Sequence, residues 1–417
     1  MKSEKHAPKA DQPLAEKIKK IEGGVCAAKG FTASGIHAGI KKHKKDLALI
    51  VSEVPAAAAG VFTKSATKAA CVTLNQSILK KSKSISAITI NSGNANACTG
   101  KRGMRDAVST VNATAKALNI PRSQVLVSST GVIGKLLPMQ QMFSGIADAA
   151  LQLHSEGGTA ASEAICTTDT FIKEFAVELP IGNTRVRIGG MAKGSGMIAP
   201  NMATMLAFVT TDAKISDTLL AKSLRQATDM SFNRITVDGD TSTNDMVIAL
   251  ANGKANNVPL KEGSTSYKRF YQAFEYVLTV LSKMIVKDGE GATKFIEVVV
   301  KGAKSRNEAE LAGRTICNSL LVKTAIHGED ANWGRILAAV GRSGIRFNPD
   351  KTEIYFDKLR ILGKNYSAAF SEAAAKKVLQ QKEITVFVDL HGGPHSATLW
   401  TCDLSKGYVD INASYRS

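Results

Sequence analysis

A mixed α/β fold is what this sequence predicts, and three observations carry the prediction. Short segments rich in Val and Ile alternate with longer segments of helical period. Hydrophobic residues make up 44% and charged residues 22% of 417 positions, a balance that supports a large buried core. No internal repeat, heptad run or low-complexity linker interrupts the alternation, so no domain boundary stands out. Periodicity alone leaves α/β and α+β arrangements both open.

Taken in chain order, the first twenty residues carry Lys2, Lys5, Lys9, Lys17, Lys19 and Lys20 against Glu4, Asp11 and Glu16. They have no apolar centre and no Arg, so a solvated extension is expected rather than a secretory signal or transit peptide. The most apolar stretch, residues 47–62, is interrupted by Ser52, Glu53 and Pro55. It falls short of the roughly 18 apolar residues of a membrane span, and no transmembrane segment is expected. Strands are predicted at 87–91, 124–128, 175–179, 185–188, 295–300 and 384–390, each bounded by Gly, Asn, Asp or Ser. Helices are predicted at 106–118, 217–228, 267–286 and 366–381. In the second of these Leu220, Leu224 and Ala227 share one face, with Ser216 placed as N-cap.

Cys26, Cys71, Cys98, Cys166, Cys317 and Cys402 stand far apart with no CxxC pair, which predicts free thiols and a cytoplasmic location. The net charge of +18 raises nucleic-acid binding. The lysine clusters at 41–45 and 80–83 lack interleaved aromatics, and only 6% of the chain is aromatic, so no nucleic-acid partner is expected. Near-motifs also fail. Gly134-Lys135 is followed by Leu136 where a phosphate loop needs Ser or Thr. The 238–242 segment begins like a calcium loop, but Ala249 stands where its bidentate Glu belongs. His391 and His395 enclose Gly392, Gly393 and Pro394, a turn between strands rather than a helical zinc pair.

The segment 191–211 reads MAKGSGMIAPNMATMLAFVTT. Its 193–206 portion resembles the signature of the ornithine acetyltransferase family of arginine biosynthesis. Further matches are 91–96 (NSGNAN), 128–134 (SSTGVIG), 167–170 (TTDT), 237–245 (VDGDTSTND), 288–294 (DGEGATK), 328–335 (GEDANWGR) and 411–417 (INASYRS). They follow the family's order from about residue 20 to the last residue.

The resemblance implies a layered α/β/β/α fold of the kind shared with self-processing aminopeptidases, with a smaller C-terminal α/β domain. It implies a precursor that cuts itself between Ala203 and Thr204 into chains 1–203 and 204–417, which stay together as an α2β2 assembly. Thr204 then becomes the nucleophile. A hydroxyl is a poor nucleophile without a base, and the freed α-amine, with a pKa of about 7.7–8.0, can take its proton. Thr130 and Gly131 match the family's oxyanion hole. Thr167, Lys193, Thr204, Glu290, Asn412 and Ser417 match its substrate contacts, with Thr168 and Thr170 offering the same chemistry beside Thr167. Lys193 suits an α-carboxylate and Glu290 an ammonium group. Ala199 stands where many members carry His, so no catalytic role is expected there. The implied reaction moves acetyl from N2-acetyl-L-ornithine to L-glutamate. No metal or redox cofactor is implied, and acetyl-CoA is open as a second acetyl donor. The nearest rival is a self-cleaving aminopeptidase or amidase that passes the acyl group to water.

Overall fold

The computed structural model describes residues 18–82, 84–199 and 205–413. A nine-stranded mixed sheet comprises β1 (Lys19–Ile21), β2 (Phe31–Ile36), β3 (Leu47–Phe62), β4 (Ser84–Asn94), β5 (Val125–Val132), β6 (Lys173–Ile181), β7 (Thr184–Lys193), β8 (Leu206–Thr211) and β9 (Met246–Ala251). Its spatial order is β1-β6-β7-β8-β9-β3-β4-β5, with β2 added on β3. Helices α1 (Ala70–Lys81), α2 (Gly100–Leu118), α3 (Met139–Leu151), α4 (Gly158–Ile165), α5 (Asp217–Met230) and α6 (Thr265–Lys287) accompany it.

The long strand β3 divides this sheet into two layers. Its first part pairs with β2 through Leu47–Ser52 and with β4 through Leu47–Val51, and its last part, 57–62, pairs with β9. The register on β4 shifts between Val51 and Ala56. Ser52, Glu53 and Pro55, which interrupt the apolar run in the sequence, therefore sit in an irregularity within one strand. A residue without an N–H is tolerated at such a place.

Strand alternation sorts the apolar side chains between layers. On β8, Leu206 and Phe208 face the core shared with β3 and β4, while Ala207 and Val209 face the core covered by α5 and α6. On β3, Ala48 and Ile50 point into the shared core, and Leu47 and Leu49 pack on Met142, Ile146 and Ala149 of α3. The order is thus helix, sheet, sheet, helix.

A second sheet forms the smaller C-terminal unit: β10 (Phe295–Ala303), β11 (Glu353–Phe356), β12 (Leu359–Leu362), β13 (Glu383–Asp389) and β14 (His395–Cys402), in the order β12-β11-β13-β10-β14. One apolar core joins it to α7 (Arg306–Cys317), α8 (Leu320–His327), α9 (Trp333–Gly341) and α10 (Glu372–Leu379). The chain then returns to the larger unit through α11 (Lys406–Ala413).

All six predicted strands lie within or overlap observed ones, and Ser216 caps α5 by accepting from the Leu219 N–H at 3.2 Å. The helix expected over 366–381 is corrected to Glu372–Leu379. Asn365 and Tyr366 have φ of 55° and 58°, outside the right-handed helix, and Ser371 caps the shorter segment. The expected N-terminal extension also ends earlier, because Lys19–Ile21 pairs with β6; residues 1–17 lie outside the described ones. The 391–395 segment is the turn between β13 and β14, with His391 bonded to Glu353 at 2.7 Å. No helix among the described residues is long and apolar enough to cross a membrane.

Candidate active site

A cavity of about 250 Å³ opens where the ends of β5 and β7 meet the turn after α6. Thr130, Gly131, Thr167, Thr168, Lys193, Gly196, Met197, Ser242, Thr243, Asn244, Glu290 and Asn412 are among its walls. Six residues singled out from the sequence thus meet at one place, although they span positions 130 to 412. Ala203, Thr204 and Ser417 lie outside the described residues. Their described neighbours are informative: Ala199 and Met205 are buried, and Leu206 pairs with Lys193 across β7 and β8.

Gly131 is dictated by its backbone. Its φ is 128°, and a Cβ there would stand 2.3 Å from the carbonyl carbon of Gly93, so no side chain fits. The strand is also held from below. Asn244 donates to the carbonyls of Ser129 (2.8 Å) and Ala95 (2.6 Å), and Ser129 Oγ donates to Asn91 at 2.7 Å. Lys193 Nζ donates to Thr130 Oγ1 at 3.4 Å, leaving the threonine's own hydrogen to point elsewhere.

Among the described residues, the charged ones lining the cavity are Lys193 and Glu290, one of each sign, and both are buried. Glu290 accepts from Asn412 Nδ2 at 2.8 Å, and its N–H bonds the Ser195 carbonyl at 2.9 Å. Gly196 permits this approach, since a Cβ would fall 2.1 Å from the Glu290 carboxylate.

The three candidate threonines separate. Thr167 and Thr168 both line the cavity, and Thr168 shares a 2.7 Å bond with Ser195 Oγ. Thr170 is committed elsewhere, its N–H and hydroxyl both donating to Asp288. Cys166 is no rival nucleophile, because burial pushes its thiol up to about 11.

Beneath this wall lies a network that the sequence reading did not single out. Lys173, fully buried, bonds Asp169 at 2.7 Å and Asp288 at 2.5 Å. Asp169 also accepts from the N–H groups of Thr167 (2.8 Å) and Gly194 (2.7 Å). Burial alone would raise the Asp169 carboxyl. The cations of Lys193 and Lys173, with hydrogen bonds from Lys173 and Gly194, outweigh it and hold that carboxyl well below the usual range. Asp169 falls in the 167–170 match and Asp288 in the 288–294 match, which was the available signal.

The ArgJ family model matches residues 32–417. The chain belongs to the ArgJ family. The arginine biosynthesis bifunctional protein ArgJ of Symbiobacterium thermophilum is 53% identical over 400 residues, covering 95% of this chain and 99% of that one. The crystal structure of the Bacillus halodurans ArgJ is 46% identical with a TM-score of 0.50, covering 51% of this chain and 100% of that chain. Ornithine acetyltransferase complexed with ornithine, from Mycobacterium tuberculosis, is 39% identical with a TM-score of 0.42, covering 44% of this chain and 98% of that one.

Proposed function

We propose that this ArgJ-family protein is a self-cleaving N-acetyltransferase of arginine biosynthesis that moves acetyl from N2-acetyl-L-ornithine to L-glutamate through Thr204. The observation that carries the reading is a small cavity whose described walls include a buried cation, Lys193, and a buried anion, Glu290, beside Thr130 and Gly131. Substrates that carry both an α-carboxylate and an ammonium group fit that pairing of charges.

In this scheme cleavage after Ala203 frees the Thr204 α-amine. Thr204 Oγ attacks the acetyl carbonyl, its proton passing to that amine, while Thr130 Oγ1–H and the Gly131 N–H receive the oxyanion. The C–N bond breaks, the proton moves to the departing ornithine nitrogen, and an acetyl ester remains on Thr204. The glutamate amine then attacks the ester, its proton returns by the same route, and N-acetylglutamate leaves. Lys193 holds the α-carboxylate of either amino acid and Glu290 the side-chain ammonium of acetylornithine, with Thr167, Asn412 and Ser417 completing the contacts. The chemistry uses protein groups throughout, and acetyl-CoA would enter as a second donor to the same ester.

The topology supports two products, 1–203 and 204–417, that stay associated. Strands β7 and β8 pair across the cut, as do β3 and β9, so both pieces share one sheet. Two copies of each chain, α2β2, is the expected assembly. The Bacillus halodurans chain, matched over its full length at about half of this one, is what a chain divided near its middle provides.

Intact-mass measurement of the purified protein tests the scheme. It should show chains of residues 1–203 and 204–417, with an acetyl adduct on the second after incubation with acetylornithine alone. Thr204→Ala should stay whole and lose transfer. An active preparation consisting only of the 44.2 kDa chain would overturn the mechanism. Release of acetate in place of N-acetylglutamate would select the hydrolase alternative.

A further inference from the structure

The 237–246 segment grips the chain on both sides of residues 200–204. Upstream, Asp238 Oδ2 accepts from the Met197 N–H at 2.5 Å and Oδ1 from the Ile198 N–H at 2.9 Å. The Val237 N–H bonds the Ile198 carbonyl at 2.6 Å, and Thr241 Oγ1 donates to the Ala199 carbonyl at 3.3 Å. Downstream, the Met246 N–H bonds the Met205 carbonyl at 3.2 Å.

Met197 has a φ of 57°, a left-handed conformation that a residue with a Cβ disfavours. Something must hold it there. A carboxylate that accepts from two successive N–H groups does so, because it rewards the concave backbone that brings them together. Asp238 also accepts from the Asp240 N–H at 3.2 Å and from the Tyr408 hydroxyl at 3.3 Å. Tyr408 lies on α11, one turn before Asn412, which bonds Glu290. Asp238 is not part of the cavity wall, so any effect it has on chemistry runs through the backbone it holds.

We propose that Asp238, braced by Tyr408, is a positioning residue for self-cleavage: its hold on the Met197–Ile198 turn, which precedes the Ala203–Thr204 bond in the chain, sets the rate at which the precursor converts. The inference rests on the self-cleavage reading above. It gives the 237–245 match a role distinct from substrate binding. An amide at position 238 can accept at one atom only, and its NH2 would face a backbone N–H.

The test follows conversion of full-length precursor in a gel time course for wild type, Asp238→Asn, Tyr408→Phe and Asp240→Asn. Asp238→Asn should convert at least about tenfold more slowly, since small misplacement of a reacting bond costs rate steeply. Tyr408→Phe, which loses one longer bond and should fold normally, should slow conversion by about two- to threefold. Asp240→Asn keeps its backbone N–H and should convert at the wild-type rate. Turnover and KM per processed molecule should change far less than the conversion rate, since Met197 is the one residue of the held turn that lines the cavity, whereas a general loss of structure would move all of them together. If wild type converts and both Asp238→Asn and Tyr408→Phe keep pace with it, the clamp is wrong and self-cleavage stands. A wild-type chain that never converts removes the self-cleavage reading itself.

Discussion

The wall of the cavity and the C-terminal unit are held together by different chemistry. Under the cavity, Lys173 joins Asp169 and Asp288, and Asn244, Ser129 and Asn91 form a buried ladder of hydrogen bonds. In the C-terminal unit, Ile296, Val298 and Val300 meet Ile384, Val386, Val388 and Leu379 in an apolar core. Its own buried lysine, Lys323, is held by neutral acceptors: it donates to Thr401 Oγ1 at 2.9 Å and to the Cys402 carbonyl. An apolar core stabilises without specifying direction. A buried polar network fixes directions, and loses heavily when one member is removed.

Lys173→Met is the largest expected break in that comparison. It leaves two buried carboxylates without the cation they share and should cost about 3–5 kcal/mol in denaturant unfolding. It should also raise KM for acetylornithine, because the Thr167, Gly194 and Glu290 segments lose their common anchor. Unchanged KM in a destabilised variant would show that the network serves the fold alone.

Leu379→Ala, at a fully buried position of α10, should cost about 2–5 kcal/mol through lost burial and a cavity. Kinetic constants per folded molecule should not move. A shift in KM there would mean that the C-terminal core and the cavity are coupled, and that the contrast drawn between them is too sharp.

The smallest effect is the pH-dependent part of the Asp169 contribution. The carboxyl is held below its unfolded value of about 3.9, so its stabilisation is present in full above that pH. The contribution is lost as pH falls from there toward the folded value. The stability difference between wild type and Asp169→Asn should therefore be constant from about pH 7 to 5 and shrink below about pH 4. A difference that grew on acidification would contradict the sign of the shift.

Regular elements were legible where one period dominates. Helix α5 announces itself through Ser216, Leu220, Leu224 and Ala227, and β10 through its Val and Ile run. Strand β3 was not legible, because Pro55 looks like an end and is instead an irregularity supported by strands far away in sequence. The 366–381 helix was overextended, since nothing local reveals the positive φ at Asn365 and Tyr366.

At the site, the family resemblance carried by the ordered motifs nominated Thr130, Gly131, Lys193, Glu290 and Asn412, and proposed Thr204 as nucleophile. That is what the sequence by itself determined: a family signature whose members each have the right functional group. Only the tertiary structure decided which of Thr167, Thr168 and Thr170 reach the cavity. It also decided that Lys193 is a buried strand end rather than a solvated loop residue, and that Lys173 and Asp238 stand behind the wall. The physical reason is that these roles depend on direction. A hydroxyl or carboxylate has the same chemistry wherever it sits in a sequence, and only packed neighbours from distant segments determine what it faces.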